Sequence, residues 1–417
     1  MIVRVLVLTL AIAARVFAFT GIRSSTREWT MSHTGRKRDS IVKPPRAVSA
    51  YAESAAAVAG VIAFHECGHF AAARVQNITV ESFSIGFGPK LLSFNDSGGV
   101  EFSLRALPLG GFVAFPQNVV YDETGAVVEE KDDPDLLQNR PPLQRAFVIS
   151  AGVLANLLLT FLLSAGTSLT TGIGHPQYGD GIVVTAIPSE NSAAAISGFQ
   201  ADDVIMAVNK NPLKGSNMVV SEFVSTVRAS AGKPLSVEVM RNKQPVKIEV
   251  IPKGEPGRGS LGLKVNSVVR SVDSVKATNI VQAAQEGYDE TVRLVSFTWS
   301  AFTRAFSTGF TGTEVGGPIS VVRAGASMAD YSGVALVGFA ATLSINLAVL
   351  NSLPLPALDG GQLAFILAEL VSGKTVNREL KENLIALAFG MLLIIGAGTL
   401  VSDISTLGSP LEKVNRR

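Results

Sequence analysis

The sequence FHECGHF occupies residues 64–70, inside the apolar segment 48–75. Its two histidines, His65 and His69, are four residues apart, so a helix would place both imidazoles on one face. Glu66 lies one step round that helix. This H-E-x-x-H pattern is typical of helices that hold zinc between two imidazoles and use the glutamate as a proton acceptor. The stretch therefore predicts a helix that carries two ligands of a metal centre.

A second interpretation is two helix histidines satisfied by hydrogen bonds alone. The apolar setting argues against it, because ionisable side chains in a membrane-spanning segment are costly and usually functional. The neighbours fit a close-packed helix. Cys67 points away from the histidine face and is expected to pack, and Gly68 leaves room for another backbone.

The composition of the 417 residues indicates a membrane protein. Charged residues make up 17%, against about 25% in soluble domains, and the mean hydropathy is +0.34. The net charge of +2 provides no large basic field, so no nucleic-acid partner is expected. A single cysteine excludes an intrachain disulfide.

Four apolar segments have the length of a spanning helix, about 20 residues. They cover residues 48–75, 146–171, 332–361 and 384–402. The alternative for each is a buried helix of a soluble protein, which four such segments in one chain make a weak explanation. The fold predicted is a polytopic α-helical membrane protein.

Three regions between these segments have other patterns. Residues 76–145 contain two alternating stretches with glycine turns, which predict a membrane-associated β-hairpin region, followed by an acidic loop at 122–135. Residues 180–253 alternate between strand and helix patterns, which predicts an inserted α+β domain. Residues 276–311 predict an amphipathic helix.

The third metal ligand has two candidates, His175 and Asp359. Asp359 follows prolines 354 and 356 and precedes two glycines, which favours irregular backbone that presents a carboxylate inside the membrane. With four spans, the ends of the first and third lie on one membrane side, whereas His175 follows the second. The sequence therefore favours Asp359.

The N-terminus predicts targeting. Residues 1–18 have the short apolar core of a signal peptide, and residues 19–47 are rich in Arg, Ser and Thr, as in a transit peptide. Together they resemble a bipartite plastid leader, so we expect a multi-pass protein of a plastid membrane. The alternative is an ordinary signal peptide and a disordered tail.

The motifs together resemble the site-2 protease family of intramembrane zinc metalloproteases, in the regulator-of-sigma-E protease branch and its plastid relatives. The resemblance rests on HECGHF (65–70), GFGPKLLSF (86–94), LRALPLGGFV (104–113), AGVLAN (151–156), GGPI (316–319) and LSINLAVLNSLPLPALDGG (343–361).

The resemblance implies one Zn²⁺ per chain, held by His65, His69 and Asp359, with Glu66 as the catalytic base. It implies substrate contacts from Asn351 and from the hairpin glycines Gly86, Gly88, Gly110 and Gly111. The hairpins would pair with an unwound substrate, or else serve only for packing.

The resemblance also makes 180–253 a PDZ domain with a peptide or protein ligand. Two departures stand out. Asp202-Asp203 replaces the family's Gly-Asp, which affects expected ligand preference, and Val153 replaces a usual proline.

The sequence is compatible with three functions. The first is an endopeptidase that cuts within or near the spanning segments of single-span membrane proteins in the lipid bilayer, with the PDZ domain across the membrane as a filter or docking module. The second is a catalytically silent PDZ scaffold of the same fold, which the intact H-E-x-x-H pattern disfavours. The third is a transporter, in which that pattern would have no role.

Overall fold

The computed structural model describes residues 46–122, 127–216, 218–255, 257–308 and 316–407. The predicted signal peptide and nearly all of the predicted transit segment lie outside these residues. The chain divides into a helical unit, up to Thr171 and from Ala277 onward, and an inserted unit, Gly172–Lys276.

The helical unit begins with α1 (Arg46–Val75), followed by strands β1 (Ser82–Asn95), β2 (Glu101–Ala114), β3 (Val119–Tyr121) and β4 (Val127–Glu130), a 3-10 turn (Leu137–Asn139) and α2 (Pro142–Thr170). After the inserted unit, the described residues form five further helices. These are α5 (Ile280–Thr308), α6 (Pro318–Tyr331), α7 (Gly333–Asn351), α8 (Asp359–Ser372) and α9 (Arg378–Leu407).

The inserted unit contains the elements between α2 and α5: β5 (Ile173–Ala186), α3 (Ala193–Ile196), β6 (Val204–Val208), β7 (Asn211–Pro212), α4 (Val219–Ala229), β8 (Leu235–Arg241), β9 (Gln244–Val250) and β10 (Lys264–Val275). Its sheet has the order β10-β5-β6-β8-β9, and β7 pairs with β6. Ile182, Ile205 and Val237 are fully buried in its core. The pairing of β10 with β5 extends this unit beyond the predicted 180–253.

Among the described residues, four helical stretches are long and apolar enough to cross a membrane: Val48–Val75, Pro142–Thr170, Gly333–Asn351 and Arg378–Ser405. They overlap the four predicted segments. The last leaves most of its apolar side chains exposed, including Leu387, Ile394 and Val401. Exposed apolar surface of this extent fits contact with lipid.

The third segment differs from the prediction at its end. Helix α7 stops at Asn351, and Asp359 starts a separate helix, α8. Pro354 and Pro356 explain the break, because proline cannot donate a helical hydrogen bond and disfavours helix in the preceding residue.

The acidic segment 122–135 also differs from the predicted loop, because part of it pairs in the antiparallel ribbon β3–β4. The β-branched pair Val127-Val128 favours extended backbone there. The amphipathic helix predicted at 276–311 corresponds to α5.

Glycine allows α1 and α2 to approach closely. A Cβ on Gly68 would overlap the carbonyl oxygen of Ala151, so only glycine permits this crossing. Cys67 and Phe70 are buried beside it in a core that also contains Val148 of α2. The crossing fixes α2 against the histidine-bearing turn of α1.

The β1–β2 hairpin folds back on itself. Residues Ser82–Ile85 pair on one side with 101–104 and on the other with 111–114. Gly86 and Gly88, which follow this segment inside β1, have positive φ angles of 90° and 84°, and glycine suits them where the strand register shifts. Segment 111–114 is therefore at one edge of the small sheet.

Candidate metal centre

Helix α1 brings two imidazoles together inside the helical unit. His65 and His69 are one turn apart and both are buried. Their Nε2 atoms are 3.3 Å apart. The Nδ1–H of His69 donates to the carbonyl oxygen of Val148 at 2.9 Å, which leaves its Nε2 lone pair free. The two predicted histidines therefore lie on one face of α1, and their Nε2 atoms point toward the same position.

Asp359 completes the cluster. Its Oδ2 is 3.2 Å from Nε2 of His65 and 3.3 Å from Nε2 of His69. The loop before α8 reaches this position because Gly360 and Gly361 lack side chains. A Cβ on either would overlap backbone of residues 352–356.

The three atoms have the spacing of metal ligands. A tetrahedral zinc ion about 2.0–2.1 Å from each ligand atom holds those atoms about 3.3–3.4 Å apart. The observed separations are 3.2, 3.3 and 3.3 Å. Asp359 Oδ2 is buried and receives no hydrogen bond of suitable geometry, despite the two nearby nitrogens. His65, His69 and Asp359 therefore form a group that could hold a metal ion.

Gly152 of α2 makes room for the imidazoles. A Cβ there would overlap Nε2 of His69 and lie 2.7 Å from Cε1 of His65. The motif AGVLAN (151–156) contains this glycine, but the sequence did not predict a role for it. A glycine at a helix crossing opposite a histidine pair was the available signal.

Glu66 lies beside the cluster and under the hairpin. The backbone N–H of Val113 lies beside its carboxylate. A Cβ on Gly111 would come within 2.9 Å of Glu66 Cγ, so glycine lets the edge segment pass directly over this side chain.

A cavity of about 650 Å³ contains these groups. Asn351, Gly110 and Gly111 line it together with His65, Glu66, His69 and Asp359. The Nδ2 of Asn351 is 3.2 Å from Nε2 of His65. Among the described residues, Gly86 and Gly88 do not line this cavity, although Phe87 between them does. The other ligand candidate, His175, is in β5 of the inserted unit.

Comparison with known proteins identifies the family. Residues 53–395 match peptidase family M50. The chain belongs to this family. A protein of Nostoc named "Putative zinc metalloprotease all3971" is 36% identical over 364 residues, which are 87% of this chain and 97% of that protein. The "Membrane metalloprotease ARASP, chloroplastic" of Arabidopsis thaliana is also 36% identical, over 85% of this chain and 78% of that protein. Clostridium perfringens has a 29% identical relative over 84% of this chain.

Membership confirms several predictions. The protein is a zinc metalloendopeptidase of membranes, and the cluster in the cavity provides a group of side chains that fits the family's metal. The transporter interpretation is wrong.

Proposed function

We propose that this protein is an intramembrane endopeptidase that hydrolyses peptide bonds within or beside the spanning segments of single-span membrane proteins. One observation carries the proposal. The ligand-like triangle of His65, His69 and Asp359 opens into a cavity walled by helices that are themselves apolar enough to span a bilayer.

In this proposal His65, His69 and Asp359 hold one zinc ion. Bound zinc supplies Lewis acidity, which polarises a peptide carbonyl and lowers the pKa of a water molecule to about 7. Glu66 takes a proton from the attacking water and delivers it to the leaving nitrogen. The backbone N–H of Val113, beside this carboxylate, would help to keep it in place for both transfers.

The hairpin edge would bind the substrate. A spanning helix must open before its peptide bonds can be attacked, and an exposed strand edge can hold an extended chain by backbone hydrogen bonds. Residues 111–113 line the cavity, and within the described residues the outer side of segment 111–114 pairs with no strand. Gly110 and Gly111 let this edge pass close to Phe87 and Glu66, and Asn351 offers an amide in the same cavity. Gly86 and Gly88 then shape the hairpin.

The inserted unit would act as a PDZ domain that binds a peptide or protein. Its strand–helix–strand–helix–hairpin order supports this role. The Arabidopsis relatives named chloroplastic support a plastid membrane as the location.

The test is Glu66→Gln, with Glu53→Gln on the same helix as the matched control. Zinc should remain at about one per chain in both variants, because neither side chain is a proposed ligand. Loss of a general base should slow cleavage by about 10²–10⁴-fold in Glu66→Gln only. The measurement is mass spectrometry of membranes from cells producing each variant, which identifies single-span proteins that stay uncut.

Cleavage at the parent rate by Glu66→Gln would refute the role of Glu66. Cut sites mapped well outside the apolar segments of the substrates would refute intramembrane hydrolysis. A parent protein that cleaves no membrane protein would favour the silent scaffold.

A further inference from the structure

Asn156 is a fully buried polar side chain in the apolar helix α2. Its amide lies 3.1 Å from Nδ1 of His65, on the side of that ring opposite the metal cluster. A buried amide in a spanning helix is costly unless its hydrogen bonds are satisfied. The cost of burying this amide therefore indicates that the side chain of Asn156 has a function.

The chemistry of His65 supplies that role. A neutral imidazole carries one proton, so a ring that offers Nε2 to a metal carries the proton on Nδ1 and needs an acceptor there. For His69 the acceptor is the carbonyl oxygen of Val148 at 2.9 Å. For His65 the group nearest to Nδ1 that could provide an acceptor is the side-chain amide of Asn156.

The orientation of that amide matters. The Asn156 nitrogen faces Nδ1, whereas the buried Oδ1 has no hydrogen-bond partner. The two ends of the amide have nearly the same shape, so a half-turn about the Cβ–Cγ bond places Oδ1 against Nδ1 without moving the helix. Only this orientation accepts the Nδ1–H and leaves Nε2 free for a metal.

We propose that Asn156 is a positioning residue for the metal centre. Its Oδ1 accepts the Nδ1–H of His65 and turns Nε2 of that ring toward His69 and Asp359. The inference rests on the proposed ligand role of His65.

The backbone around Asn156 is fixed independently of its side chain. Its carbonyl oxygen accepts hydrogen bonds from Thr160 Oγ1 at 3.1 Å and from Ser344 Oγ of α7 at 2.9 Å. Thr160 Oγ1 also lies 3.2 Å from the carbonyl oxygen of Ala341. These contacts hold α2 against α7, so the amide reaches His65 from a rigid site. They also provide a control, because Ser344→Ala disturbs the same crossing without touching the amide.

The experiment compares zinc affinity in Asn156→Leu, Asn156→Asp and Ser344→Ala, each as the full chain in detergent. Affinity is measured by competition with a chelator, and the visible absorption of the Co²⁺-substituted protein reports ligand geometry. Leucine keeps the volume but removes the acceptor, so we expect affinity to fall about 10–100-fold and the cobalt bands to shift. Aspartate keeps an acceptor and should retain parent-like zinc and cobalt bands. Ser344→Ala should match the parent.

A purely structural role predicts the reverse order, because a buried carboxylate would disturb packing more than leucine. Parent-like affinity in Asn156→Leu would overturn the proposal. So would an affinity of Asn156→Asp about 10-fold or more below that of the parent. This arm is compared with the parent, so it decides the question even where the leucine variant does not fold. A parent protein without zinc would overturn the ligand set of the proposed function and the role of Asn156 with it. If the parent and Asn156→Leu bound zinc with equal affinity, only the proposed role of Asn156 would be overturned.

Discussion

Two carboxylates with buried oxygen atoms have opposite surroundings in this protein. Asp203 of the inserted unit is fully buried, yet both oxygens accept hydrogen bonds, from Arg241 at 2.7 and 2.8 Å and from the N–H of Gln200 at 2.8 Å. Asp359 of the helical unit has Oδ2 buried without a donor of suitable geometry beside two imidazole nitrogens. Buried polar groups are normally paired, so the satisfied carboxylate is structural and the unsatisfied one marks a place for a cation.

Replacing Asp359 by asparagine should have the largest effect of these changes, on both proteolysis and zinc content. The variant loses a proposed ligand whose contribution to Lewis-acid catalysis is several kcal/mol, and about 4 kcal/mol corresponds to about 1,000-fold in rate. We expect proteolysis to fall by at least that factor and zinc to fall well below one per chain.

The same variant should not lose stability when zinc is removed by a chelator from both proteins. In that state Asp359 is a half-buried charge whose Oδ2 has no donor of suitable geometry, and asparagine removes that charge. Thermal unfolding of the two zinc-free proteins checks this expectation. A marked decrease for Asp359→Asn would mean that the carboxylate is structural, like Asp203.

The sequence predicted those parts of the site that depend on local periodicity. Helical spacing identified His65, Glu66 and His69, and four apolar lengths matched the four candidate spans. Asp359 required more, namely a helix broken by prolines, a topological argument and the family resemblance. The prolines predicted the irregular backbone before Asp359, but not that a separate helix, α8, starts at this residue.

Contacts between distant segments could not be predicted. The partner of His69 is the backbone carbonyl of Val148, which any residue could provide. Gly152 and Asn156 did leave a signal, as a small and a polar residue in the charge-free segment 146–171. Their function appears only once α1 and α2 cross. In the inserted unit, β10 was missed because its pairing with β5 joins strands far apart in the chain.

Removing Arg241 should leave the buried carboxylate of Asp203 without its ion-pair partner. Arg241→Met leaves Asp203 buried and unpaired, which costs about 3–5 kcal/mol for a fully buried pair. Because the guanidinium is 23% exposed, we expect about 2–3 kcal/mol in the inserted unit. Hydrogen exchange of β6 and β8 in the full chain measures the loss.

The matched control is Arg270→Met. Its ion pair with Asp180 is 3.8 Å long and both side chains are more than half exposed. Such pairs contribute about 0–1 kcal/mol, so exchange should barely change. Zinc content should stay at the parent value in both variants, and equal losses of protection would refute the structural assignment of Asp203–Arg241.

Lowering the pH should have the smallest effect of these changes on the stability of the inserted unit, and the direction of that effect follows from the pKa of Asp203. Burial alone raises the pKa of Asp203, but the hydrogen bonds from Arg241 and from the amide of Gln200 outweigh it and hold that pKa below the ordinary 3.8. The resulting stabilisation of the inserted unit is complete above the unfolded pKa, about 3.9, and is lost as the pH falls through the lower folded pKa. Each unit of lowering corresponds to about 1.4 kcal/mol.

In Arg241→Met only burial and the amide of Gln200 remain, so we expect the pKa of Asp203 to rise and protonation to relieve the variant. The stability gap between parent and variant should therefore shrink as the pH is lowered from 7 toward 3. Hydrogen exchange compared between the two proteins at each pH cancels the intrinsic pH dependence of exchange. A gap that widened on acidification would mean that Arg241 does not act through the charge of Asp203.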